Sequence, residues 1–254
     1  MNPIRQKRAI KPVNRSKIAH LRQKIAHFEP VAQTGPNIST GFGEPDAYFA
    51  DYVTGGGLAL GGVHEIIAAR PGDIGAVLGF SHYLAARFMA GSSSLLYGQT
   101  HAGVRETGQP YAPALRAGGD LIYLDGVSLT DLMWAGEEAL SCEAIGCIIL
   151  ASAEAAPSFT FSRRLSMTAR SVERPLIMAL GACAAGTASA AASRWLVQAL
   201  PHNGWQLKLV RLRASYTQTP PSQGWQVFPE AEKGLAPLPS LEVETAVLSQ
   251  SAFR

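Results

Sequence analysis

The stretch that decides the fold is residues 52–76, which read YVTGGGLALGGVHEIIAARPGDIGA. A glycine-rich turn leads into a short apolar run, and a Pro-Gly loop then precedes the start of a helical pattern. This order predicts a strand, a loop and a helix, which is the setting of phosphate-binding loops in nucleotide-binding proteins. The stretch therefore predicts an α/β domain and places the first candidate site at the loop.

The loop lacks the residues that a phosphate site needs. A working loop reads Gly-x-x-x-x-Gly-Lys-Ser/Thr, because the lysine contacts the outer phosphates and the hydroxyl binds magnesium. Here Asp73, Ile74 and Gly75 occupy that neighbourhood, and no lysine occurs between Lys24 and Lys208. We expect ATP binding to be lost; a retained site would use Arg70 and the backbone amides of the glycines. The degenerate loop comprises Arg70, Pro71, Gly72, Asp73 and Gly75.

Composition favours one sizeable domain. The chain has 254 residues, of which 47% are hydrophobic and 16% charged, so it can bury a large core. Its cysteines (Cys142, Cys147 and Cys183) show no Cys-x-x-Cys or paired Cys/His spacing, which predicts reduced thiols and no metal site. No run approaches the ~18 apolar residues of a membrane helix. We expect a soluble, cytoplasmic protein without a membrane partner.

Positive charge is concentrated at the N-terminus. Residues 1–29 contain eight basic residues and one acid, Glu29. Because the whole chain has 22 basic and 19 acidic residues, the remainder carries 14 and 18. The charge pattern therefore predicts a local basic arm rather than a basic nucleic-acid-binding fold, with DNA contact weak or indirect.

The arm contains an amphipathic helical pattern that ends at Pro30. Its apolar residues have helical spacing, and three basic residues off the stripe are candidate phosphate contacts. The stripe is formed by Ile18, Leu21, Ile25 and Phe28, and the basic residues are Lys17, Arg22 and Lys24. The helix packs on its own domain or docks on a partner; nucleic-acid binding and mitochondrial targeting are further interpretations. We divide the chain into an arm and helix (1–30), a linker (31–43), a core (44–228) and a tail (229–254).

Within the core, predicted strands alternate with predicted helices. The strands are at 62–67, 94–97, 121–124, 147–150 and 176–180, and the helices at 74–90, 110–117, 129–142 and 160–172. Apolar strands separated by helices indicate a mostly parallel sheet covered on both faces. Segments 194–200, 205–213 and 224–228 alternate with turn signals, which predicts antiparallel strands at the C-terminal edge of the sheet.

This order of elements resembles the RecA-like ATPase core over residues 45–228. In that family a glycine-rich segment such as Thr54-Gly55-Gly56 precedes a strand containing Glu-Ile, and the phosphate loop follows. The resemblance implies a catalytic glutamate near the end of the next strand, where this chain has Gln99. It also implies a magnesium-supporting aspartate at the end of a later strand, where this chain has Ser152. Loss of lysine, glutamate and aspartate together implies a domain that does not hydrolyse ATP and needs no cofactor or metal.

Five segments narrow the resemblance to ImuA, the bacterial RecA-related protein of inducible mutagenesis. They are Gly61–Ile66, Trp134–Leu140, Ser162–Leu165, Ala190–Trp195 and Trp205–Arg213, in this order. ImuA proteins are expressed with a Y-family-like partner, ImuB, and an error-prone replicative-type polymerase. The resemblance implies a non-catalytic adaptor in SOS-induced translesion synthesis that acts with an ImuB-like protein, RecA and the polymerase assembly. Two alternatives stay open: a weak ATPase or nucleotide switch, and a cell-division inhibitor of the SulA type.

The resemblance also suggests where partners or DNA would be contacted. Arg163 and Arg164 follow the strand that in RecA leads to a DNA-facing loop, so they are candidate phosphate or partner contacts, against the simpler interpretation of solvated arginines. Residues 181–189, at the position of the second DNA-binding loop of RecA, carry no charge, which predicts no grip on DNA. The N-terminal helix of RecA packs on a neighbouring protomer, so the predicted helix here is a candidate for docking on RecA.

Four further side chains have structural interpretations. Trp134 is expected to cover the sheet from an amphipathic helix, and Arg194-Trp195 to pack at a strand edge. His64 is expected to be a hydrogen-bonded histidine rather than a metal ligand.

Overall fold

A computed structural model describes residues 36–52, 56–89, 94–111, 120–213 and 224–229. The strands are β1 (Asn37–Ile38), β2 (Leu58–Ala59), β3 (Val63–Ala68), β4 (Ser94–Thr100), β5 (Leu121–Val127), β6 (Ile145–Ser152), β7 (Leu176–Leu180), β8 (Ser193–Ala199), β9 (Trp205–Leu212) and β10 (Trp225–Val227). The α-helices are α1 (Gly43–Tyr52), α2 (Ile74–Phe88), α3 (His101–Thr107), α4 (Leu129–Leu140) and α5 (Phe159–Ser171). Two 3₁₀ turns cover Pro71–Asp73 and Ala182–Ala184.

Eight strands form one sheet in the order β10-β9-β8-β3-β7-β6-β4-β5. Strands β8, β3, β7, β6, β4 and β5 are neighbours in this order and run parallel to one another. Strand β9 pairs antiparallel with β8, and β10 pairs antiparallel with β9. The prediction of a mostly parallel sheet with antiparallel strands at one edge is confirmed. One detail is wrong: β8 is an interior strand parallel to β3, because residues 181–192 form a crossover long enough to return the chain to the other end of the sheet.

The predicted elements agree with most of the observed ones. The prediction for β7 matches the strand, and those for β4, β5 and β6 lie inside longer strands. Helices α1 and α3 were not predicted. The predicted helix at 110–117 lies mainly outside the described residues, as do the arm at 1–30 and most of the predicted tail.

One face of the sheet is covered by α1 and α2 and is rich in aromatic side chains. Phe49 and Phe80 are fully buried against Trp195, with ring centroids 5.7 and 6.3 Å away. Phe42, in the described part of the predicted linker, is also buried, and its ring stacks on Tyr83. Burial of such large side chains supplies much of the driving force for folding, and ring pairing adds to it.

The other face is covered by α4 and α5. Leu132, Met133 and Leu140 of α4 are buried against the sheet, and at Gly136 the helix approaches β6 so closely that a Cβ atom would lie 2.6 Å from Leu150. Trp134 is 58% exposed, so the expectation that it covers the sheet is wrong. The reason is helical geometry: Trp134 lies about 200° around the helix from Leu132.

Candidate functional site

The degenerate loop lies at the carboxyl end of β3, between two elements of the predicted kinds. β3 ends at Ala68, the 3₁₀ turn follows, and α2 begins at Ile74. Pro71 opens the 3₁₀ turn, and Gly72 and Gly75 are exposed, with no atom within 4 Å of a Cβ built on them. The expected strand, loop and helix are therefore present, with an open surface over the glycines.

Asp73 is the centre of this loop. Its side chain is 5% exposed, and its carboxylate accepts hydrogen bonds from Arg70 Nε at 3.1 Å and from the Ala199 amide at 3.2 Å. Burial alone would raise the pKa of Asp73, but these hydrogen bonds outweigh it and hold that pKa below its usual value. A fixed negative charge thus sits at the N-terminus of α2, where a phosphate would otherwise benefit from the helix dipole. Arg70, the one cation of the loop, is thus already paired with a carboxylate of the same loop.

Gln99 and Ser152 lie at the carboxyl ends of β4 and β6, which are neighbours in the sheet. The Gln99 amide donates to Thr107 Oγ1 at 2.7 Å, and Ser152 Oγ donates to the Ala155 carbonyl at 2.8 Å. Both side chains are buried and engaged with the loops that follow their strands. The structure therefore brings these positions to one edge of the sheet, where both are neutral.

Sequence reasoning missed one carboxylate at this edge. Glu154, shortly after β6, is exposed and accepts a hydrogen bond from Thr100 Oγ1 at 3.0 Å. Thr100 also caps α3 by accepting from the Gly103 amide. The acid two residues after Ser152 could have drawn attention to this position. The sequence does not show, however, that its side chain meets the end of β4. Among the described residues, no group of three or more His, Cys, Asp and Glu is arranged to hold a metal ion.

Arg163 and Arg164 are consecutive residues of α5, and their side chains have different surroundings. Arg164 pairs with Glu137 of α4, with 3.3 Å between Arg164 Nε and Glu137 Oε1, and its guanidinium lies 5.7 Å from the centre of the Phe161 ring. Arg163 is exposed and lines a surface cleft. It forms no ion pair within the described part of the chain. Both arginines are exposed, and of the two candidate contacts Arg163 is the one without an ion pair among the described residues.

Arg194 is buried in the sheet, so the expectation of strand-edge packing is wrong. It stands opposite Glu65 in the β3–β8 register, and 2.5 Å separates Arg194 Nε from Glu65 Oε2. The same guanidinium donates to the carbonyls of Ala184 at 2.9 Å and Thr187 at 2.6 Å, and Ser189 donates its hydroxyl to Glu65. Residues 181–189, which were compared with the second DNA-binding loop of RecA, are thus tied to the sheet interior.

His64 is a buried structural histidine, as predicted. Because a carbonyl only accepts, Nε2 donates to the Ala59 oxygen at 2.9 Å, and Nδ1 accepts from the Ser193 hydroxyl at 2.8 Å. The ring stacks on Phe88. Burial lowers its pKa to about 4, so the imidazole is neutral at physiological pH.

The remaining predicted residues lie outside the described part of the chain. These are the docking stripe Ile18, Leu21, Ile25 and Phe28 and the basic residues Lys17, Arg22 and Lys24. Comparison with protein-family models gives no match for this chain, and a search of curated proteins gives none either. Among the described residues, no helix has the length and apolar character needed to span a bilayer.

Proposed function

We propose that this chain is a non-catalytic RecA-like adaptor of the ImuA type, which acts in damage-induced translesion synthesis with an ImuB-like protein, RecA and an error-prone polymerase. The observation that carries the proposal is the state of the degenerate loop. Its strand, turn and helix are in place, but the loop holds a buried carboxylate, Asp73, and its one cation, Arg70, is paired with that carboxylate.

The electrostatics of the loop support a role without nucleotide. A bound triphosphate carries several negative charges that must be neutralised, and the buried carboxylate of Asp73 would repel them. Arg70 is the nearest cation in the loop, and its guanidinium is already paired with that carboxylate. The neutral side chains of Gln99 and Ser152 supply no carboxylate to act as a base for water or to support magnesium at these positions.

The architecture supports the RecA-like part of the proposal. The degenerate loop follows β3, and Gln99 and Ser152 end two further parallel strands of the same sheet. In a RecA-like ATPase these are the places of the phosphate loop, the catalytic glutamate and the magnesium-supporting aspartate. This arrangement supports a RecA-like core without its catalytic groups. A packed α/β sheet of this kind is rigid and can present surfaces to partners.

Co-purification tests the adaptor role. A tagged full-length chain is captured from cells after DNA damage, in parallel washes containing ATP, ADP or a nucleotide-degrading enzyme. We expect an ImuB-like protein and RecA in equal amounts in all three washes, and equal recovery with Arg70→Ala. Recovery that depends on ATP would favour the nucleotide switch, and recovery of the division protein FtsZ instead would favour the SulA type. Either result contradicts the proposal.

Calorimetry tests the loop directly. Titration of the purified chain with ATP and magnesium should show no binding, because the site combines a fixed carboxylate with no lysine. The matched sample is Arg70→Ala, which should give the same flat trace. Binding in the low micromolar range, about −8 kcal/mol, and its loss in Arg70→Ala would show that the loop is a working nucleotide site.

A further inference from the structure

An open cleft of about 670 Å³ lies between α5, the residues just before β8, and the end of β9. Four arginines line it, Arg163 and Arg170 from α5, Arg211 near the end of β9 and Arg213 just after it, and among the described residues no acid lines it. The end of β9 pairs with the start of β8, so the cleft lies toward the opposite edge of the sheet from the degenerate loop. It is a separate site.

The floor of the cleft is fixed in place. The Ala190 amide donates to Ser162 Oγ at 3.1 Å, and the Ala190 carbonyl accepts from Ser166 Oγ at 3.0 Å and from Arg213 at 3.2 Å. Arg211 donates to the preceding carbonyl. Each of these two arginines uses one nitrogen on the floor and keeps other N–H donors for a ligand, since a guanidinium has five. The guanidinium groups of Arg211 and Arg213 are therefore held in place before any ligand binds, which lowers the entropic cost of binding.

The wall formed by α5 combines cationic and apolar groups on one helix face. Phe159, Arg163, Met167 and Arg170 follow the spacing of a single stripe, and Phe159 and Met167 are 50% and 62% exposed. Exposed aromatic residues, methionine and arginine together are the residues enriched at protein interfaces.

The charge of the surrounding chain decides between ligand classes. After residue 29, acidic residues outnumber basic ones by 18 to 14, yet the described part of the chain lines the cleft with four arginines and no acid. A long polyanion such as single-stranded nucleic acid would run from the cleft onto a net acidic protein, whereas a short acidic segment would not. Arginine forks also match carboxylates in bidentate pairs.

We propose that this cleft binds a short segment of a partner protein that carries several carboxylates beside an apolar side chain. The inference builds on the adaptor function by assigning one partner-binding surface to it. The carboxylates pair with the four arginines, and the apolar side chain packs between Phe159 and Met167.

The test measures fluorescence anisotropy of a labelled ten-residue peptide with two Glu-Asp pairs flanking a Leu-Phe pair, titrated with the full-length chain. The variant is Arg163→Glu/Arg170→Glu, which reverses two exposed charges that have no ion-pair partner among the described residues. We expect binding to weaken about tenfold or more. The matched control, Arg105→Glu, reverses another exposed helix arginine at the end of α3 and should leave binding unchanged.

Two competitors identify the ligand class. The same peptide with its carboxylates replaced by amides should not displace the labelled peptide, and a ten-nucleotide thymidine oligomer should do so only weakly. The proposal is overturned if the acidic peptide does not bind at millimolar concentration, or if the charge-reversed variant binds it as well as the control does. It is also overturned if the oligomer binds more tightly than the peptide and loses that binding in the charge-reversed variant.

The outcome is separable from that of the adaptor proposal. Peptide binding uses no cellular partner, so failed co-purification with intact peptide binding would count against the translesion partners alone. Successful co-purification that the charge-reversed variant leaves unchanged would count against the cleft alone.

Discussion

Replacing Arg194 by methionine would test the buried ion pair that holds residues 181–192. The side chains of Arg194 and Glu65 are 7% and 1% exposed, so neither charge is screened by water. Methionine keeps much of the hydrocarbon but removes the guanidinium. Glu65 would be left with the Ser189 hydroxyl, the Thr187 carbonyl would lose the Arg194 donor, and the Ala184 carbonyl would keep only its hydrogen bonds from Thr187.

The expected loss of stability is large. Removing one partner of a buried ion pair destabilises proteins by about 3–5 kcal/mol, because the remaining charge is buried without compensation. In a domain of this size each kcal/mol lowers the melting temperature by about 2–4 °C, so a drop on the order of 10 °C is expected. Urea unfolding followed by tryptophan fluorescence gives the free energy of unfolding, and circular dichroism gives the melting temperature.

The double variant Glu65→Leu/Arg194→Met is the control, because it removes both charges. It should recover most of the loss, since replacing both partners by apolar groups is often close to neutral. If the single variant loses less than about 1 kcal/mol, the pair does not behave as a buried one. If the double variant is as unstable as the single variant, the loss comes from packing and from the carbonyls, and the reasoning about charge is refuted.

Two further predictions concern pH and the N-terminal arm. The pKa of His64 is about 4 in the folded chain against an ordinary 6.5, so the unfolded state binds the proton more readily and the free energy of unfolding should fall by about 3 kcal/mol between pH 6.5 and 4. His82, whose pKa burial also lowers, acts in the same direction, so His64→Gln should reduce this pH slope rather than abolish it; an unchanged slope would contradict the assignment. Leu21→Glu should weaken RecA or ImuB binding at least tenfold, because a buried leucine contributes ~1.5–3 kcal/mol and a carboxylate adds a desolvation cost. A lower melting temperature with binding retained would instead show that the helix packs on its own domain.

The pattern of apolar residues was sufficient to predict the limits of a strand where the whole strand is buried. β7 is apolar throughout and lies in the sheet interior, so its run in the sequence has the same limits as the strand. Helices α1 and α3 were missed because of their composition. α1 begins at Gly43, the last residue of the predicted linker, and has Pro45 in its first turn, whereas α3 has few apolar residues to reveal a period. Helix α1 is stabilised by tertiary packing, which buries Phe49, rather than by a local sequence pattern.

The candidate sites depended on contacts between distant residues. The degenerate loop was predicted from the sequence pattern, and the neutral positions Gln99 and Ser152 were implied by the resemblance to the RecA-like core at the predicted strand ends. The arginine cleft did not, because Arg170 and Arg211 are far apart in the chain and meet only through the crossover between β7 and β8. The internal pairing of Arg70 with Asp73 was equally hidden, since the sequence shows two charges near each other but not that the carboxylate is buried.

Gly181 marks a close contact between the segments that follow β6 and β7. A Cβ atom at this position would lie 1.8 Å from the Ala153 carbonyl oxygen, so the segments following β6 and β7 touch backbone to backbone. From there the chain runs past the Arg194 clamp to Ala190 on the cleft floor. A side chain larger than hydrogen at position 181 would clash with that carbonyl, so either the segment after β6 or the segment leading from β7 to the cleft floor would have to move.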